Sequence, residues 1–468
     1  MDALDLAYAG ISRQAELVRA GEVSPAELVE TYLRRIERLE PRLNAFRIVF
    51  AERALAEARQ AEGRRGAGGG RPLLGVPVAV KDNIDVAGEV TTHGSNAFGG
   101  PAASDAEIVR RLKAAGAILI GKTHLSELAI FPWTETAAWG MTRNPWDHAR
   151  SAGGSSGGSG AAVAAGLIGA ASASDGGGSI RIPAAVNGLF GLKPQRGRVS
   201  LMPDAQHWHG LSAAGSVTRS VLDTALWLDA VAGPAPGDAH STPPPERPFA
   251  DAARSSPGQL RIAVSTKPAA LARVHDRVRQ AVEDTAATLR SLGHEVSEAD
   301  PDYGFIDPLF VPRWARGIHD DASALPHPDR LERRHRLLAL LGKAIGQGGV
   351  ERALRAEPAR ARQINRIFDR HDVLLTPTMP RPADQLGRFQ GRSLPVVLPG
   401  ATEIVAFTVP WNVTGQPAAS VPAAVTDGGV PIGVQLVGRP NDEATLISLA
   451  AQLEAETGWL DRRPALDQ

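Results

Sequence analysis

Two glycine- and serine-rich segments in the middle of the chain contain side chains that could attack a carbonyl group. The first is SAGGSSGGSG at 151–160 and the second is DGGGS at 175–179. Ser155 and Ser179 are 24 residues apart, and the intervening AAVAAGLIGAASAS is typical of a helix followed by a short strand. Such an arrangement would fold the two segments back onto each other, which favours a chemical function over a flexible linker.

A serine hydroxyl needs a neighbouring base before it can attack near neutral pH. No histidine occurs between residues 149 and 206. A lysine can take the proton only if desolvation lowers its pKa by about 3 units, at a cost near 4 kcal/mol. Lys81 directly follows VPVAV, an apolar segment that is typical of a strand buried on both faces. Lys81 is therefore the candidate base for Ser179.

Two other short motifs lack the structural context that their chemistry needs. Residues 116–123 satisfy the phosphate-loop pattern G-x-x-x-x-G-K-[ST], yet the intervening AILI is itself typical of a strand. Residues 154–158 match the G-x-S-x-G pattern of a nucleophile elbow, but RNPWDHARSAGG before the serine cannot form the required strand. We therefore expect neither nucleotide binding nor a nucleophile at Ser156.

Composition excludes several classes of protein. The 468 residues contain 51 basic and 51 acidic side chains, so no net charge favours nucleic acid or an anionic membrane as a partner. Cysteine is absent, which removes disulfides, thiol nucleophiles and cysteine-based metal sites. No apolar segment reaches the roughly 18 residues of a membrane helix, and the N-terminal residues do not resemble a signal peptide. We expect a cytoplasmic protein.

Alternating helical and strand patterns surround the candidate residues, which predicts an α/β fold with a largely buried central sheet. Ser24 begins a capping box and should cap a helix that ends at Pro41. GRRGAGGGRP at 63–72 predicts an exposed loop, and the proline-rich 233–249 a long surface connection. The predicted strands are 76–80, 117–121 and 260–265, the predicted helices are 105–116, 278–293 and 441–456, and 419–438 predicts a hairpin.

The segment 153–200 resembles the signature region of the amidase signature hydrolases. GVPVAVKDNIDVAG at 75–88 is similar to the family's lysine segment, and DVLLTPTMP and FTVPWNVTGQPAASVP follow in the family's order. The resemblance implies the amidase signature fold, an α/β fold with a central mixed β-sheet flanked by helices on both faces. It implies one domain over 1–468, made of N-terminal helices (1–60), a catalytic core (61–232), a variable substrate-side region (233–400) and a C-terminal return (401–468).

The same resemblance implies roles for individual residues and no metal or other cofactor. Ser179 would be the nucleophile, Ser155 a bridging serine held by a cis peptide bond, and Lys81 the terminal base. Neutral Lys81 would take the proton of Ser155, Ser155 that of Ser179, and water would later hydrolyse the acyl-enzyme. The backbone N–H groups of the oxyanion hole would be those of Gly176, Gly177, Gly178 and Ser179.

Other polar residues near these motifs are expected to be structural. His207 and His209 could suggest a metal pair, but the sequence shows neither nearby carboxylates nor a third ligand. The remaining expectations are Ser156 and Ser159 as hydrogen-bonding residues, Asp175 as an acceptor for local N–H groups, Arg181 as a support for the site, and Lys122 and Lys193 as solvated or ion-paired cations.

The resemblance leaves the substrate open. DGGGSIRIPA and TETAAWGMTRNPW are similar to members acting on aryl or nylon-oligomer amides or on carbamates (urethanases), which predicts a bacterial amidase with a small-molecule substrate, monomeric or homodimeric. The alternative is the glutaminase subunit of a tRNA-dependent amidotransferase, although Gly176 stands where such subunits usually carry threonine. A non-catalytic scaffold would need a broken triad. The pocket should be lined from 125–140 and 300–400, with Trp133, Trp139, Phe310 and Trp314 as candidates.

Overall fold

Within residues 2–63 and 70–466, which this computed structural model describes, fifteen strands occur and eleven of them form one mixed sheet. The strands are β1 Phe46–Val49, β2 Pro77–Lys81, β3 Ile118–Thr123, β4 Glu135–Thr136, β5 Gly140–Met141, β6 Arg143–Asn144, β7 Asp147–Ser151, β8 Ala170–Asp175, β9 Phe190–Lys193, β10 Ala213–Thr218, β11 Arg261–Val264, β12 Glu295–Glu298, β13 Val373–Pro377, β14 Ala418–Val425 and β15 Pro431–Gly438. Strands β4 to β7 form two small hairpins outside the main sheet.

The same part of the chain forms fifteen α-helices. They are α1 Ala3–Tyr8, α2 Gly10–Ala20, α3 Pro25–Leu43, α4 Ala51–Glu62, α5 Glu107–Ala114, α6 Gly157–Ala164, α7 Arg181–Asn187, α8 Val221–Val231, α9 Phe249–Ala253, α10 Asp276–Ser291, α11 Asp307–Ala324, α12 Arg333–Asn365, α13 Leu394–Ile404, α14 Val409–Thr414 and α15 Glu443–Thr457. Short 3₁₀ turns include Glu127–Ala129 and Trp208–Gly210.

The strand order brings together the carboxyl ends of the two strands that carry Lys81 and Asp175. Across the sheet the order is β1-β3-β2-β8-β10-β9-β14-β15-β13-β11-β12. Strand β2 is parallel to both β3 and β8, and Ala79 of β2 lies opposite Ala171 of β8. The carboxyl ends of β2 and β8 therefore lie side by side, a place where α/β sheets commonly bind ligands. Lys81 ends β2 and Asp175 ends β8.

Helices cover both faces of the sheet. Successive side chains of a strand point to opposite faces. In β2, Val78 and Val80 belong to one buried cluster, packed with side chains of α5, α8, α10 and α15, whereas Ala79 belongs to another, packed with α3 and α6. A third cluster packs α11, α13 and α14 against β13, β14 and β15. The predicted α/β fold, with a central mixed sheet between helices, is confirmed.

Most of the predicted elements occur close to their predicted positions. The buried strands before Lys81 and before Gly121 are β2 and β3, and the C-terminal hairpin is the antiparallel pair β14 and β15. Residues 116–123 are not a phosphate loop, because Ile118–Thr123 is strand β3. The segment 233–249 is irregular and mostly exposed. Of the loop predicted at 63–72, residues 64–69 lie outside the described residues.

One helix end was predicted wrongly. Ser24 caps α3 as expected, since its side chain accepts a hydrogen bond from the N–H of Glu27. The helix continues through Pro41 to Leu43, because a proline in the last turn removes only one backbone donor. Asn44, in the left-handed conformation, ends the helix by donating its N–H to the carbonyl of Glu40. None of the described helices combines the length and apolar character that crossing a bilayer requires.

Candidate active site

Lys81 is buried at the carboxyl end of β2 and contacts two serine hydroxyls. Its Nζ lies 2.7 Å from Ser155 Oγ and 2.8 Å from Ser174 Oγ, and the side chain is 0% exposed. Burial deprives the ammonium of water and lowers the pKa of Lys81 to about 7, although the negative charge of Asp175 acts in the opposite direction. A substantial fraction of Lys81 is therefore neutral near pH 7 and able to accept a proton from Ser155.

Ser155 is fixed by its backbone as well as by Lys81. The peptide bond between Gly154 and Ser155 is cis. The carbonyl of Ser155 accepts hydrogen bonds from the N–H of Ser126 and from the hydroxyl of Thr134, each 3.2 Å long. A Cβ atom at Gly154 would lie 2.4 Å from the backbone nitrogen of Trp133, so this position admits only glycine. The first glycine–serine segment is thus a closely packed loop rather than a flexible linker.

Hydrogen bonds hold the two glycine–serine segments together. The hydroxyl of Ser156 bonds to both the N–H and the carbonyl of Ser174, each at 3.4 Å. The hydroxyl of Ser159 donates to the carbonyl of Ser172 at 2.9 Å. Helix α6 and strand β8 connect the two segments, as the sequence pattern predicts. Ser156 and Ser159 have the structural role expected of them.

The turn that follows β8 is organised by the carboxylate of Asp175. It accepts hydrogen bonds from the N–H groups of Gly178 (2.7 Å) and Ile180 (3.2 Å) and from the side-chain amide of Asn412 (2.8 Å). Arg181 forms a fully buried ion pair with it at 2.8 Å. Burial alone would raise the pKa of the Asp175 carboxyl, but the Arg181 guanidinium holds it well below its usual range. Asp175 and Arg181 therefore have the roles that the sequence predicted.

One backbone N–H of the predicted oxyanion hole has a hydrogen-bond partner within the turn itself. The N–H of Gly178 already donates to Asp175, so it is not free to bind an oxyanion. In the described part of the chain, no hydrogen bond is donated by the N–H groups of Gly176, Gly177 or Ser179. The free backbone donors of the turn are therefore those of Gly176, Gly177 and Ser179.

Ser179 lies in the wall of an apolar cavity of about 220 Å³. The apolar cavity, as we call it from here, is lined mainly by hydrophobic side chains, among them Phe131, Phe310, Trp314 and Leu338. Ser179 is partly exposed, whereas Ser155 is 0% exposed. Among the described hydrogen bonds, Lys81 is joined to Ser155, and none joins Ser155 to Ser179. The structure thus brings two of the three predicted residues into direct contact and places the third at the cavity wall.

Part of the cavity wall comes from the two regions that the sequence indicates, and residues outside them, among them Trp208, Ala269 and Ala270, complete the lining. Residues 129–132 form one side, and residues of α11, α12 and α13 form the other. Phe310 and Trp314 line the cavity as predicted. Trp133 does not line it but stacks between Phe131 and Phe389, with ring centroids 4.8 and 4.3 Å away. Trp139 is also outside the cavity lining, and its indole N–H donates to a backbone carbonyl at residue 95.

Lys122 and Lys193, the other two lysines noted in the sequence, differ in their hydrogen-bond and ion-pair partners. Lys122 is ion-paired, with its Nζ 2.8 Å from a carboxylate oxygen of Asp82 and both side chains buried. Lys193 was expected to be solvated or ion-paired, and this is wrong. It is buried, and its Nζ donates to the carbonyls of Pro194 at 2.9 Å and Gly415 at 3.4 Å. Burial, assisted by the positive charge of Arg181, lowers the pKa of Lys193 to about 7.

The two histidines of the HWHG segment lie beside separate carboxylates. Nε2 of His207 lies 3.1 Å from Asp321, and Nε2 of His209 lies 3.2 Å from Asp320. The expectation that no carboxylate lies near them is therefore wrong, because α11 brings two from a distant part of the chain. Within the described residues, the group with the geometry to hold a metal is instead Glu127, Glu332 and His335. There His335 bonds directly to Glu127, which connects the 127–129 turn to α12.

Ser174 contacts the lysine but was not identified from the sequence. Its hydroxyl accepts a hydrogen bond from Lys81 Nζ and another from the side-chain amide of Asn83 at 3.3 Å. The available signal was the alternation of serine and alanine in ASASD, which places Ser172 and Ser174 on the same face of β8. Ser172 accepts the backbone N–H of Lys81 at 3.0 Å. Both serines of β8 thus position the lysine.

Comparison with known proteins extends over nearly the whole chain. The Amidase family model matches residues 27–447. A Mycobacterium bovis protein named "Putative amidase AmiB2" is 50% identical, and the alignment covers 100% of both chains. The solved structure of 6-aminohexanoate cyclic dimer hydrolase is 34% identical with a TM-score of 0.92, covering 99% of each chain. That of a bacterial aryl acylamidase is 26% identical with a TM-score of 0.87, covering 97% of each. The chain therefore belongs to the amidase signature family and is a hydrolase of carbon–nitrogen bonds other than peptide bonds.

Proposed function

We propose that the protein is a serine amidohydrolase in which Lys81, Ser155 and Ser179 relay protons and Ser179 forms an acyl-enzyme. The observation that carries this proposal is the 2.7 Å hydrogen bond between Lys81 Nζ and Ser155 Oγ, formed by a buried lysine whose pKa is about 7. A lysine in water is almost entirely protonated at pH 7 and cannot act as a base. Burial removes this obstacle, so the serine beside it can be activated.

The relay works in two directions. Neutral Lys81 takes the hydroxyl proton of Ser155 while Ser155 takes that of Ser179, and the Ser179 oxygen attacks the carbonyl carbon. As the tetrahedral intermediate collapses, the proton returns through Ser155 to the leaving nitrogen, because an amine anion is a very poor leaving group. A water molecule then attacks the acyl-enzyme with the same proton transfers. Each cycle regenerates neutral Lys81.

The developing oxyanion is bound by the turn between β8 and α7. The N–H groups of Gly176, Gly177 and Ser179 are free, whereas that of Gly178 holds Asp175. A Cβ atom at Gly177 would lie 3.5 Å from the nearest atom, in the ring of Phe310, so this residue lies in ordinary contact distance of the cavity wall. Loss of one preorganised donor in such a site typically costs about 3 kcal/mol of transition-state stabilisation.

The acyl half of the substrate is apolar. The apolar cavity begins at Ser179, and its lining is dominated by aromatic and aliphatic side chains that favour aryl or alkyl groups. Similarity to 6-aminohexanoate cyclic dimer hydrolase and to an aryl acylamidase supports amides as the substrate class. Carbamates have the same carbonyl and nitrogen and fit the same chemistry, so urethanase activity belongs to this proposal.

The glutaminase alternative has less support. Glutamine carries a carboxylate and an ammonium group, which a binding site normally pairs with opposite charges. Among the residues that line the apolar cavity, the one ionisable side chain is Asp307, and no lysine or arginine is present. A carboxylate would therefore find no cation there. Release of ammonia from glutamine that depends on added partner subunits would nevertheless favour the amidotransferase function.

A screen with purified enzyme tests the proposal. Anilides, fatty amides, primary amides and carbamates are incubated with the enzyme, and the released amine is measured. We expect anilides and other amides with apolar acyl groups to be cleaved. Ser179→Ala and Lys81→Ala should each abolish turnover while the far-ultraviolet circular dichroism spectrum stays unchanged. Substantial residual turnover in Ser179→Ala would exclude Ser179 as the nucleophile.

A further inference from the structure

Exposed apolar side chains occur mainly on the chain segments that also line the apolar cavity. The exposed large hydrophobic residues of the described chain number seven, and six of them either line the cavity or lie within two residues of one that does. These six are Leu271, Phe305, Leu337, Leu340, Leu341 and Val396. Single exposed hydrophobic residues need no explanation, but a group around one opening indicates a binding surface.

Four leucines of α12 form a continuous path from the cavity to solvent. Leu338 lines the cavity and is 0% exposed, and Leu341 lines the cavity but is 47% exposed. Leu337 and Leu340 are 45% and 61% exposed. Each step of the path, from 338 to 341, 337 and 340, joins residues three or four apart, which are neighbours on a helix surface. The cavity therefore opens onto the leucine strip, an apolar surface formed by Leu341, Leu337 and Leu340, rather than onto polar surface.

We propose that Leu341, Leu337 and Leu340 extend the acyl-binding site and hold the distal part of a long apolar acyl chain. This inference rests on the proposed function, in which the carbonyl of the substrate lies at Ser179. It identifies the substrate class more closely, as amides whose acyl group is longer than the apolar cavity.

The size and continuity of the cavity identify the occupant of the leucine strip. The apolar cavity holds about 220 Å³, less than the roughly 300–1,000 Å³ of sites that enclose a drug-sized ligand. A long chain anchored at Ser179 must therefore leave the cavity. Leu341 belongs to both the cavity wall and the exposed surface, so a chain leaving beside it passes directly onto Leu337 and Leu340. Contact with these side chains removes its apolar surface from water.

The test compares acyl chain lengths in wild type and in a surface variant. The substrates are the 4-nitroanilides of butanoic, octanoic and dodecanoic acid, each used below the concentration at which it aggregates. The variant is Leu337→Ser with Leu340→Ser, which changes side chains outside the enclosed part of the cavity. The control is Leu354→Ser, an exposed leucine (40%) further along the same helix that does not line the cavity.

We expect wild-type kcat/KM to keep rising from octanoyl to dodecanoyl. The double variant should lose about fourfold to fifteenfold on the dodecanoyl substrate, which corresponds to lost contact with one to two methylene groups in total. It should lose less than about twofold on the butanoyl substrate, and Leu354→Ser should match wild type on all three.

Three results would overturn the extension. One is an equal loss on short and long chains, and another is no loss on the dodecanoyl substrate. The third is a wild-type dimer in analytical ultracentrifugation that the double variant dissociates, which would make the leucine strip an interface between two copies. Failure of wild type to cleave any of the amides or carbamates in the purified-enzyme screen would instead refute the proposed function, and the extension with it.

Discussion

The hydroxyl of Ser174 accepts a hydrogen bond from Nζ of Lys81 at 2.8 Å, while the same nitrogen lies 2.7 Å from Ser155 Oγ. A neutral amine has two hydrogens and one lone pair. When one hydrogen is directed to Ser174, the lone pair can be directed towards Ser155, which is the orientation needed to accept its proton. Ser174 is therefore a positioning residue for the base.

Removal of the Ser174 hydroxyl should slow the chemical step. We expect Ser174→Ala to lower kcat by about tenfold or more with KM nearly unchanged, because an interaction that orients the base affects the transition state rather than substrate binding. Steady-state kinetics on a cleaved anilide measure both constants. Ser159→Ala, which removes a buried hydroxyl that does not contact the lysine, is the matched control. A rise in KM with unchanged kcat would contradict this role.

The pH dependence of the reaction should follow the protonation of Lys81. Burial lowers the pKa of Lys81 to about 7, and in the proposed relay the neutral form of Lys81 is the base. Activity should therefore be retained above pH 7 and fall about tenfold per pH unit well below it. The measurement is kcat/KM between pH 5 and 9. A flat profile down to pH 5 would show that Lys81 is not the base.

A second buried lysine provides the control for that profile. The pKa of Lys193 is also lowered to about 7 by burial, but the hydrogen bonds of its Nζ go to the backbone carbonyls of Pro194 and Gly415 rather than to serine hydroxyls. Lys193→Met should therefore show the same fall in kcat/KM below pH 7 as wild type. If kcat/KM no longer falls below pH 7 in this variant, the titrating group is Lys193 instead.

The glycines of the 176–178 turn should differ in their tolerance of alanine. At Gly177 a Cβ atom would lie 3.5 Å from Phe310 and 3.7 Å from Val409, which is ordinary contact. At Gly176 it would lie 2.7 Å from the ring of Trp208, which is packed in the core. We expect Gly176→Ala to destabilise the fold by about 1–3 kcal/mol and Gly177→Ala to leave the melting temperature nearly unchanged.

The kinetic effect of these two variants should also differ. The methyl group of Gly177→Ala would point towards Phe310, a residue of the apolar cavity, and should raise KM for bulky acyl groups more than for acetyl. Thermal unfolding and a comparison of acetyl and benzoyl anilides measure the two predictions. Equal melting temperatures for both variants would contradict the packing argument.

The buried ion pair behind the turn should contribute strongly to stability. Nη2 of Arg181 lies 2.8 Å from Oδ1 of Asp175, and both side chains are 0% exposed. Arg181→Met would leave the carboxylate buried and unpaired, which typically costs about 3–5 kcal/mol. Arg13→Ala breaks an exposed pair with Glu16 and should cost less than about 1 kcal/mol. Urea denaturation compares the two, and similar midpoints would argue against this role for the buried pair.

Local sequence patterns were sufficient to predict the helix and strands that position the candidate catalytic residues. The apolar segment before Lys81 predicts β2, and the spacing of Ser155 and Ser179 predicts that α6 and β8 return the chain to the same place. These features depend on residues close together in sequence. They also place Lys81 at a strand end, which is where its desolvation arises.

The features that the sequence did not predict are set mainly by contacts between residues that lie far apart along the chain. Within the described residues Lys193 forms no ion pair, and its Nζ instead bonds to carbonyls that include that of Gly415, more than 200 residues away. The N–H of Gly178 donates to the carboxylate of Asp175, and a run of three glycines gives no sign of which N–H has such a partner. Trp133 and Phe310 look equally suited to a cavity wall, and their different positions are set by the packing of α11 and of Phe389.

The candidate catalytic residues and the opposing cavity wall come from separate parts of the chain, so mutations can change one without changing the other. The residues of the proposed proton relay lie at the end of β2 and in the loops before α6 and after β8, whereas most of the opposing cavity wall comes from α11, α12 and α13, between residues 307 and 404. A mutant library restricted to these three helices would alter the acyl group that is accepted without altering the strands that keep Lys81 desolvated. Selectivity in this protein can therefore be engineered, and can diverge among descendants, independently of the reaction itself.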